Sequence, residues 1–450
     1  MVMNPTEATS SRREFILNTA RAAAIVGAAS LAGPLARGAA ESRKKIRLAI
    51  VGTGHRGTGM WGVPVVRDYA DLVEFVGLGD INPKRAAYAA SIIGKNVPTF
   101  TDFDEMVRTA KPDKVIVTTV DGYHAHYITR AMELGCDVLS EKPLCTHAEQ
   151  AQSIIDACKK TGRALDVTFN ARYGNSATKV KELLVAGEIG ELYSVDYAEF
   201  LDLTHGADYF RRWHAYKENS GTLLCHKSSH HFDQLNWWVG GDPVEVTALG
   251  RLNMYGRNGP FRHVNCRACT FKDKCNFYWD ITKNQRLVDL YVNCESADGY
   301  YRDGCVYRSS IDIYDTMSVQ IKYDNHAMVT YSLNATAPYE GQQIIFNGSK
   351  GRIEVRNYDS QPWKVPYSAE IRLTRDFKDT AVFQIQREAG EHGGSDRRIR
   401  DMLFRPGMPD PLGQRAGLHA GIMSAIIGIA GYTSIETGQK VRIRDLVTLS

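Results

Sequence analysis

The stretch Ile46–Gly57 reads IRLAIVGTGHRG and decides the fold. Its first six residues, ending at Val51, form a short apolar run that is typical of a buried strand. The remainder matches the pattern G-x-G-x-x-G, whose glycines allow a tight turn and let a pyrophosphate approach the backbone at the start of the next helix. We therefore predict a dinucleotide-binding turn. Its predicted contact residues are Gly52, Thr53, Gly54, His55, Arg56 and Gly57.

A second apolar run, Val73–Leu78, leads to Asp80, which lies 23 residues after Gly57. A carboxylate at this distance accepts hydrogen bonds from the adenosine ribose and repels a 2′-phosphate. The sequence therefore favours NAD as the cofactor. NADP stays open as an alternative, because Lys84 and Arg85 follow closely and could pair with a phosphate.

Further strands and helices alternate along the same part of the chain. A third strand, Lys114–Thr119, is followed by a helix that ends near Leu134, and a fourth strand, Cys136–Ser140, leads into Glu141-Lys142-Pro143. This alternation predicts right-handed parallel βαβ units, and ligands bind at the carboxyl edge of such sheets. We therefore predict an α/β fold, with a Rossmann domain over residues 41–170.

Length and composition limit the remaining possibilities. A chain of 450 residues indicates two domains, and 43% hydrophobic with 24% charged residues is typical of a globular protein. The formal net charge is only +4, and much of the excess lies in the first forty residues. This balance gives no electrostatic reason to expect nucleic acid as a partner.

The amino terminus resembles a twin-arginine export signal, since Ser11–Leu17 reads SRREFIL. The apolar residues 22–36 are interrupted by Pro34 and are too short for a stable membrane span. We predict a signal peptide over residues 1–40 and a periplasmic or otherwise exported protein; a disordered tail and an uncleaved anchor are the alternatives. Because this route carries folded proteins, the cofactor is expected to be loaded beforehand and held tightly.

Taken together, the motifs resemble those of the glucose–fructose oxidoreductase, inositol dehydrogenase and rhizopine-catabolism (Gfo/Idh/MocA) family. The motifs that carry the resemblance are the glycine turn, Asp80, the threonine-rich loop with His124, Glu141-Lys142-Pro143, Asn170-Ala171-Arg172-Tyr173 and Gly187-Glu188-Ile189-Gly190. The resemblance implies that Lys142 is catalytic. It also implies further cofactor contacts from Thr119, His124, Glu141, Lys142 and Asn170.

From Ala171 the sequence pattern changes. Alternating apolar and polar residues predict strands of a half-covered sheet at Leu192–Phe200, Val244–Arg251, Thr316–Tyr323 and Ala327–Leu333. We predict an α+β domain over residues 171–450, whose final helix, Leu418–Ile435, packs back on the first domain because it is apolar nearly all round. The resemblance implies an open, mainly antiparallel sheet that binds substrate and contacts other copies of the chain.

The segment Ser220–Asp233 contains two histidines four residues apart, His226 and His230. On a helix this spacing places both side chains on one face. The resemblance places His230 on the family's catalytic histidine and His226 where many members carry an aspartate, whose fixed negative charge a histidine cannot supply. We predict both as catalytic residues beside Lys142; packing in the core is the alternative.

A neighbouring segment, Trp213-His214-Ala215-Tyr216-Lys217, resembles part of the NAD-dependent glycosidases of glycoside hydrolase family 109. The predicted substrate contacts are Arg172, Trp213, Tyr216 and Lys217. Trp213 would stack on a sugar face, unless it is simply a core aromatic residue. The alternative function is a glycosidase that works by oxidation, elimination, hydration and reduction.

Five of the nine cysteines lie between residues 266 and 305. Cys266-x-x-Cys269, with Cys275 close behind, has the spacing of a zinc knuckle, and Cys305 or Cys294 could supply a fourth thiolate. We predict a structural zinc ion on Cys266, Cys269, Cys275 and Cys305. Disulfides are the alternative in an exported protein.

The main functional prediction is an oxidoreductase that transfers hydride between a carbon of a sugar or glycoside and a nicotinamide cofactor. Removing hydride from an alcohol requires a base for the hydroxyl proton. Lys142 can serve if burial lowers its pKa below the usual value of about 10.4. A binding protein with a relic nucleotide site is the non-enzymatic alternative.

Overall fold

The computed structural model describes residues 44–376 and 378–449, so the predicted signal peptide lies outside the described residues. The strands are β1 Ile46–Val51, β2 Val73–Gly79, β3 Thr99–Phe100, β4 Lys114–Val117, β5 Asp137–Ser140, β6 Leu165–Val167, β7 Leu192–Asp202, β8 Pro243–Arg251, β9 Thr316–Tyr323, β10 Met328–Ala337, β11 Glu340–Gly348, β12 Gly351–Ser360, β13 Tyr367–Arg375, β14 Asp379–Gln386, β15 Ala416–Gly417 and β16 Val441–Arg442. The α-helices are α1 Val63–Tyr69, α2 Pro83–Ile93, α3 Phe103–Ala110, α4 His124–Glu133, α5 Ala148–Thr161, α6 Asn175–Val185, α7 Leu203–Arg211, α8 Lys217–Ser220, α9 Thr222–His226, α10 Ser229–Val239, α11 Gln285–Leu290, α12 Glu295–Asp298, α13 Ser395–Phe404 and α14 Leu418–Thr437.

The first sheet has the order β15-β6-β5-β4-β1-β2-β3, and all its strands are parallel except β15. The apolar residues of β1 and β4 are buried, as expected of central strands covered on both faces. Their parallel direction brings the residues that follow β1, β2, β4 and β5 to one edge. The predicted Rossmann fold is therefore confirmed.

The second sheet has nine strands in the order β14-β13-β12-β11-β7-β10-β9-β8-β16. It is antiparallel apart from the pair β7 and β10. Strand β9 alternates strictly, with Met317, Val319, Ile321 and Tyr323 buried and the residues between them exposed. One face thus packs on helices and the other is open, which confirms the predicted mainly antiparallel sheet. Between β8 and β9 the chain makes a long insertion, residues 252–315.

Helix α14 lies between the two sheets. Its Tyr432 hydroxyl donates to the carbonyl of Thr146 in the first domain, at 3.0 Å, and its Ser424 hydroxyl donates to the carbonyl of Ser229 in α10, at 2.7 Å. A Cβ on Gly428 would come within 2.6 Å of the carbonyl oxygen of Leu224, so glycine permits this close approach. Among the described residues α14 is the one helix long and apolar enough to cross a membrane, but 72% of its apolar window is buried within the protein.

Candidate active site

The glycine turn after β1 has the geometry that the motif predicts. Gly52 has φ +91°, and a Cβ there would lie 2.6 Å from the carbonyl carbon of Thr118. A Cβ on Gly57 would lie 2.3 Å from the oxygen of Gly52. At Gly54 a Cβ would meet only the hydroxyl of Tyr291, at 3.3 Å. The turn therefore needs glycine at 52 and 57 for its shape, and at Gly54 its outer side is approached by Tyr291.

A segment of the long insertion, Gln285–Asp298, covers this turn; we call it the strap. The hydroxyl of its Tyr291 accepts a hydrogen bond from the backbone N–H of His55, at 2.9 Å. Arg286 approaches the Thr58 hydroxyl at 3.4 Å. Burial and then the charge of Arg286 lower the pKa of His55 to about 4, so His55 is neutral at pH 7. The strap thus provides an oxygen acceptor and a cation beside the predicted pyrophosphate position.

Asp80 lies at the end of β2, and both its carboxylate oxygens have protein partners. One accepts from the backbone N–H of Thr53 at 2.8 Å and from its hydroxyl at 3.0 Å. The other pairs with Arg85 at 3.1 Å, and Arg85 also pairs with Asp298 of the strap at 2.7 Å. Arg85 is therefore held between two carboxylates. These neutralise its charge next to the predicted ribose position.

A buried ionic network joins the glycine turn to the Glu-Lys-Pro motif. Glu141 accepts from Arg56 at 2.7 Å and from the indole N–H of Trp61 at 2.8 Å. Burial alone would raise the pKa of Glu141, but Arg56 and Trp61 outweigh it and the pKa is lowered. Asn170 donates to Asp396 at 2.6 Å. Asp396, which the sequence did not single out, thus holds a predicted cofactor residue in place.

His124 links two of the loops at this edge. One ring nitrogen lies 2.7 Å from the carbonyl oxygen of Pro143, and the other lies 3.1 Å from that of Thr119. The side chain is buried, and burial lowers its pKa. His124 therefore holds the turn that carries Lys142 against the threonine-rich loop.

Lys142 follows β5, and its amine donates to the carbonyl oxygen of His226 at 2.8 Å. Burial lowers the pKa of Lys142 to about 8, although the nearby carboxylates of Asp121 and Glu141 oppose the shift. A fraction of this amine is consequently neutral near pH 7 and able to accept a proton.

The two predicted catalytic histidines do not share one continuous helix. The chain leaves α9 at His226 and begins α10 at Ser229, and the His226 carbonyl accepts hydrogen bonds from the amine of Lys142 and, at 3.0 Å, from the hydroxyl of Ser229. The single continuous helix predicted for these residues is therefore interrupted between them. Both imidazoles nevertheless lie near Lys142. Burial and then the charge of Lys142 lower the pKa of His230, and burial, then His214, then Lys142 lower the pKa of His226. The Nδ1 atom of His230 is buried without a partner among the described residues.

Three aromatic side chains surround the His226 ring. Ring-centroid distances from His226 are 5.6 Å to Trp213, 4.0 Å to His214 and 5.4 Å to Tyr209. Trp213 also stacks on His214, at 3.6 Å. The structure thus brings Trp213 to the site, together with two residues that were not predicted.

Three other predicted substrate contacts are engaged elsewhere. Arg172 is buried and donates two hydrogen bonds to Asp233, at 2.7 and 2.6 Å. The Tyr216 hydroxyl accepts from Arg308 at 3.1 Å, and Lys217 pairs with Glu436. The structure thus gives Arg172 a structural role in place of the predicted ligand contact. The polar groups of Tyr216 and Lys217 are bonded to other side chains of the protein.

The cysteine cluster does not form the predicted metal site. Cys266, Cys269, Cys275 and Cys305 line one small cavity, but all nine cysteines are free thiols. Within residues 44–376 and 378–449, no three His, Cys, Asp or Glu side chains are placed to hold a metal ion. The zinc prediction is therefore not supported, and the alternative disulfides are not formed.

Comparisons with known proteins agree with this architecture. The chain is 33% identical over 422 residues to YteT of Bacillus subtilis strain 168, named as an oxidoreductase, covering 89% of this chain and 98% of that protein. It is 27% identical over 197 residues to Glycosyl hydrolase family 109 protein 1 of Akkermansia muciniphila, covering 40% of each. The WlbA dehydrogenase of Bordetella pertussis, solved with NADH and UDP-GlcNAcA, superposes with a TM-score of 0.61 at 19% identity, covering 89% of this chain and 99% of that one.

The first domain has the fold and the glycine turn of an NAD-binding Rossmann domain. Residues 46–169 match the NAD-binding Rossmann fold of an oxidoreductase family. The description of the oxidoreductase family's C-terminal alpha/beta domain matches residues 181–443. The chain therefore belongs to the Gfo/Idh/MocA oxidoreductase family.

Proposed function

We propose that the protein oxidises or reduces a hydroxyl carbon of a sugar or glycoside with NAD. The observation that carries this proposal is the buried Lys142 amine, with a pKa of about 8, at the edge where the glycine turn and the two histidines meet. A sugar substrate is supported by two similar proteins: the WlbA dehydrogenase binds UDP-GlcNAcA, and the Akkermansia protein is named a glycosyl hydrolase.

The glycine turn and Asp80 would hold NAD, which would supply the hydride acceptor for the alcohol carbon. The hydroxyl proton passes to the neutral amine of Lys142, the C–O single bond becomes a carbonyl, and the amine becomes an ammonium ion. Glu141 and Asp121 lie close enough to stabilise this new positive charge. The imidazole of His230, kept neutral by burial, offers a hydrogen bond to the same hydroxyl.

This assignment predicts the pH dependence of turnover. Alcohol oxidation requires the neutral amine, so we expect the rate to rise with pH through about 8 and then level off. Carbonyl reduction requires the ammonium form and should fall over the same interval. Stopped-flow measurement of NADH absorbance in both directions checks this expectation. Parallel pH profiles in the two directions would contradict it.

The nucleotide is proposed to be NAD rather than NADP. Asp80 lies beside the turn, and the positive charge of Arg85 is already paired with Asp80 and Asp298, which leaves little attraction for a 2′-phosphate. Mass spectrometry of small molecules released on denaturing the purified protein tests the proposal and also reveals any retained sugar. A protein that carries NADP, or that binds neither dinucleotide, would refute it.

The strap is proposed to slow release of the nucleotide. We expect Arg286→Ala to increase the nucleotide dissociation rate several-fold, because one cation and one wall of the site are lost. Displacement of bound nucleotide by a fluorescent analogue measures this rate. Lys283→Ala, at an exposed position of the same insertion, is the matched control. Equal rates in both variants would remove this role from the strap.

The glycosidase alternative is favoured by the position of Trp213 beside His226 and by the similarity to the Akkermansia glycosyl hydrolase family 109 protein. A nitrophenyl glycoside separates the two functions. Release of nitrophenol without net formation of NADH indicates the hydrolase, and NADH formation without nitrophenol indicates the oxidoreductase.

We further propose that the protein is exported by the twin-arginine route and forms a homo-oligomer. Export is supported by the SRREFIL segment, and assembly by the open face of the second sheet. Retention of an Arg12→Lys, Arg13→Lys double variant in the cytoplasm tests the first. Light scattering of the purified protein tests the second.

A further inference from the structure

Asp121 lies outside every sequence motif that we assigned to catalysis, yet it reaches the centre of the site. It follows β4 in the first domain and is 2% exposed. Its Oδ2 atom lies 2.6 Å from Nδ1 of His226, which belongs to the second domain. The structure therefore places a carboxylate at this centre from a different part of the chain.

The loop that carries Asp121 is held firmly. The carbonyl of Gly122 accepts from the side chain of Gln150 at 2.8 Å. A Cβ on Gly122 would lie 2.7 Å from the carbonyl oxygen of Glu218, so only glycine fits where the loop meets α8. The position of the Asp121 carboxylate is thus determined by backbone contacts on both sides.

When Asp121 is ionised, its carboxylate only accepts hydrogen bonds, so Nδ1 of His226 then carries the proton and Nε2 presents a lone pair. Nε2 has no hydrogen-bond partner within the described part of the chain. The His226 side chain keeps 13% of its surface exposed, and the rings of Trp213 and His214 lie beside it. The Asp121 contact therefore fixes the orientation of the ring and leaves Nε2 as the nitrogen that can accept a hydrogen bond from a ligand.

Asp121 is also coupled to the base. Burial raises the pKa of Asp121, while the positive charges of Lys142 and Arg212 oppose that shift. Conversely, Asp121 is the strongest of the charges that raise the pKa of Lys142. The same residue, His226, is held through its side chain by Asp121 and through its carbonyl by Lys142.

We propose that Asp121 is a positioning residue of the active centre, which orients His226 toward the substrate and balances the charge that Lys142 acquires with the proton. This inference rests on the proposed oxidoreductase function. In the oxidation step the hydroxyl proton moves to the Lys142 amine, and the Asp121 carboxylate becomes the counter-ion of the resulting ammonium. His226 stays neutral and accepts a hydrogen bond from a substrate hydroxyl at Nε2.

A labelling experiment tests the charge coupling without any substrate. The full-length holoenzyme is treated with acetic anhydride over a range of pH, and acetylation of Lys142 is measured by mass spectrometry. In Asp121→Asn, which keeps the size of the side chain, we expect the labelling midpoint of Lys142 to move to lower pH by about one unit or more. The exposed variant Asp71→Asn is the control and should not move it.

Steady-state kinetics test the orienting role. We expect Asp121→Asn to lower kcat for sugar oxidation by about tenfold or more with a small change in KM, and to move the pH profile to lower pH. Asp121→Glu should recover part of the activity. Tm and circular dichroism establish that each variant is folded.

These two experiments distinguish failure of the Asp121 inference from failure of the proposed oxidoreductase function. If the acetylation midpoint of Lys142 is unchanged in folded Asp121→Asn, the charge coupling between Asp121 and Lys142 is overturned. If kcat and its pH profile are unchanged, the positioning role of Asp121 is overturned. If wild-type protein oxidises none of the sugars tested but the midpoint still shifts, the coupling stands and the proposed function fails.

Discussion

Replacing Lys142 by alanine is expected to lower turnover by at least about a hundredfold with little effect on NAD affinity. The amine is the group with a pKa near 8 at the carboxyl edge of the first sheet, and it points to His226. Its loss removes the acceptor for the hydroxyl proton. The glycine turn and the Arg56–Glu141 pair, which form the nucleotide side of the site, remain in place.

Single-turnover formation of NADH measures the hydride step directly, and fluorescence titration measures NAD affinity. Lys160→Ala, on the exposed side of α5, is the control for the loss of one lysine. If Lys142→Ala keeps near-normal turnover, another group is the base and the mechanism must be reassigned. Equal loss of NAD binding and turnover would place Lys142 in nucleotide binding.

Replacing Arg172 by alanine is expected to lower the free energy of unfolding by about 3–5 kcal/mol. The guanidinium makes two short hydrogen bonds to Asp233, and both side chains are buried. Without Arg172 the carboxylate of Asp233 stays in the interior with no counter-ion. Removing one partner of a buried ion pair destabilises the protein by far more than the intact pair stabilises it, because the other charge stays buried and unpaired.

Urea denaturation followed by circular dichroism measures the change. Arg352→Ala, which breaks an exposed pair with Glu354, is the matched control and should cost less than about 1 kcal/mol. An Arg172→Ala protein that keeps wild-type stability but loses substrate binding would return Arg172 to the ligand-contacting role that the sequence suggested.

Much of the first domain could be predicted because its signals are local. The apolar run Ile46–Val51 is a strand with those same bounds, and the glycines after it form the expected turn. Asp80 and Lys142 could be placed at one edge because residues after parallel strands must meet there. In the second domain, alternation alone predicted Thr316–Tyr323 with its observed bounds.

The site could be predicted only in part, because several of its contacts join distant segments. Asp121 and His226 are 105 residues apart in the chain, and His55 and Tyr291 are 236 apart. The i, i+4 spacing also did not reveal that the helix ends at His226, whose carbonyl accepts a hydrogen bond from Lys142. Local periodicity contains no information on such contacts.

The sequence by itself determined the class of fold, the nucleotide-binding turn and the lysine at the sheet edge, because strand periodicity and glycine geometry act over a few residues. Only the tertiary structure decided which carboxylate serves His226, which segment covers the glycine turn, and that Arg172 is buried in an ion pair. The physical reason is that charge pairing and burial depend on which distant groups the fold brings together.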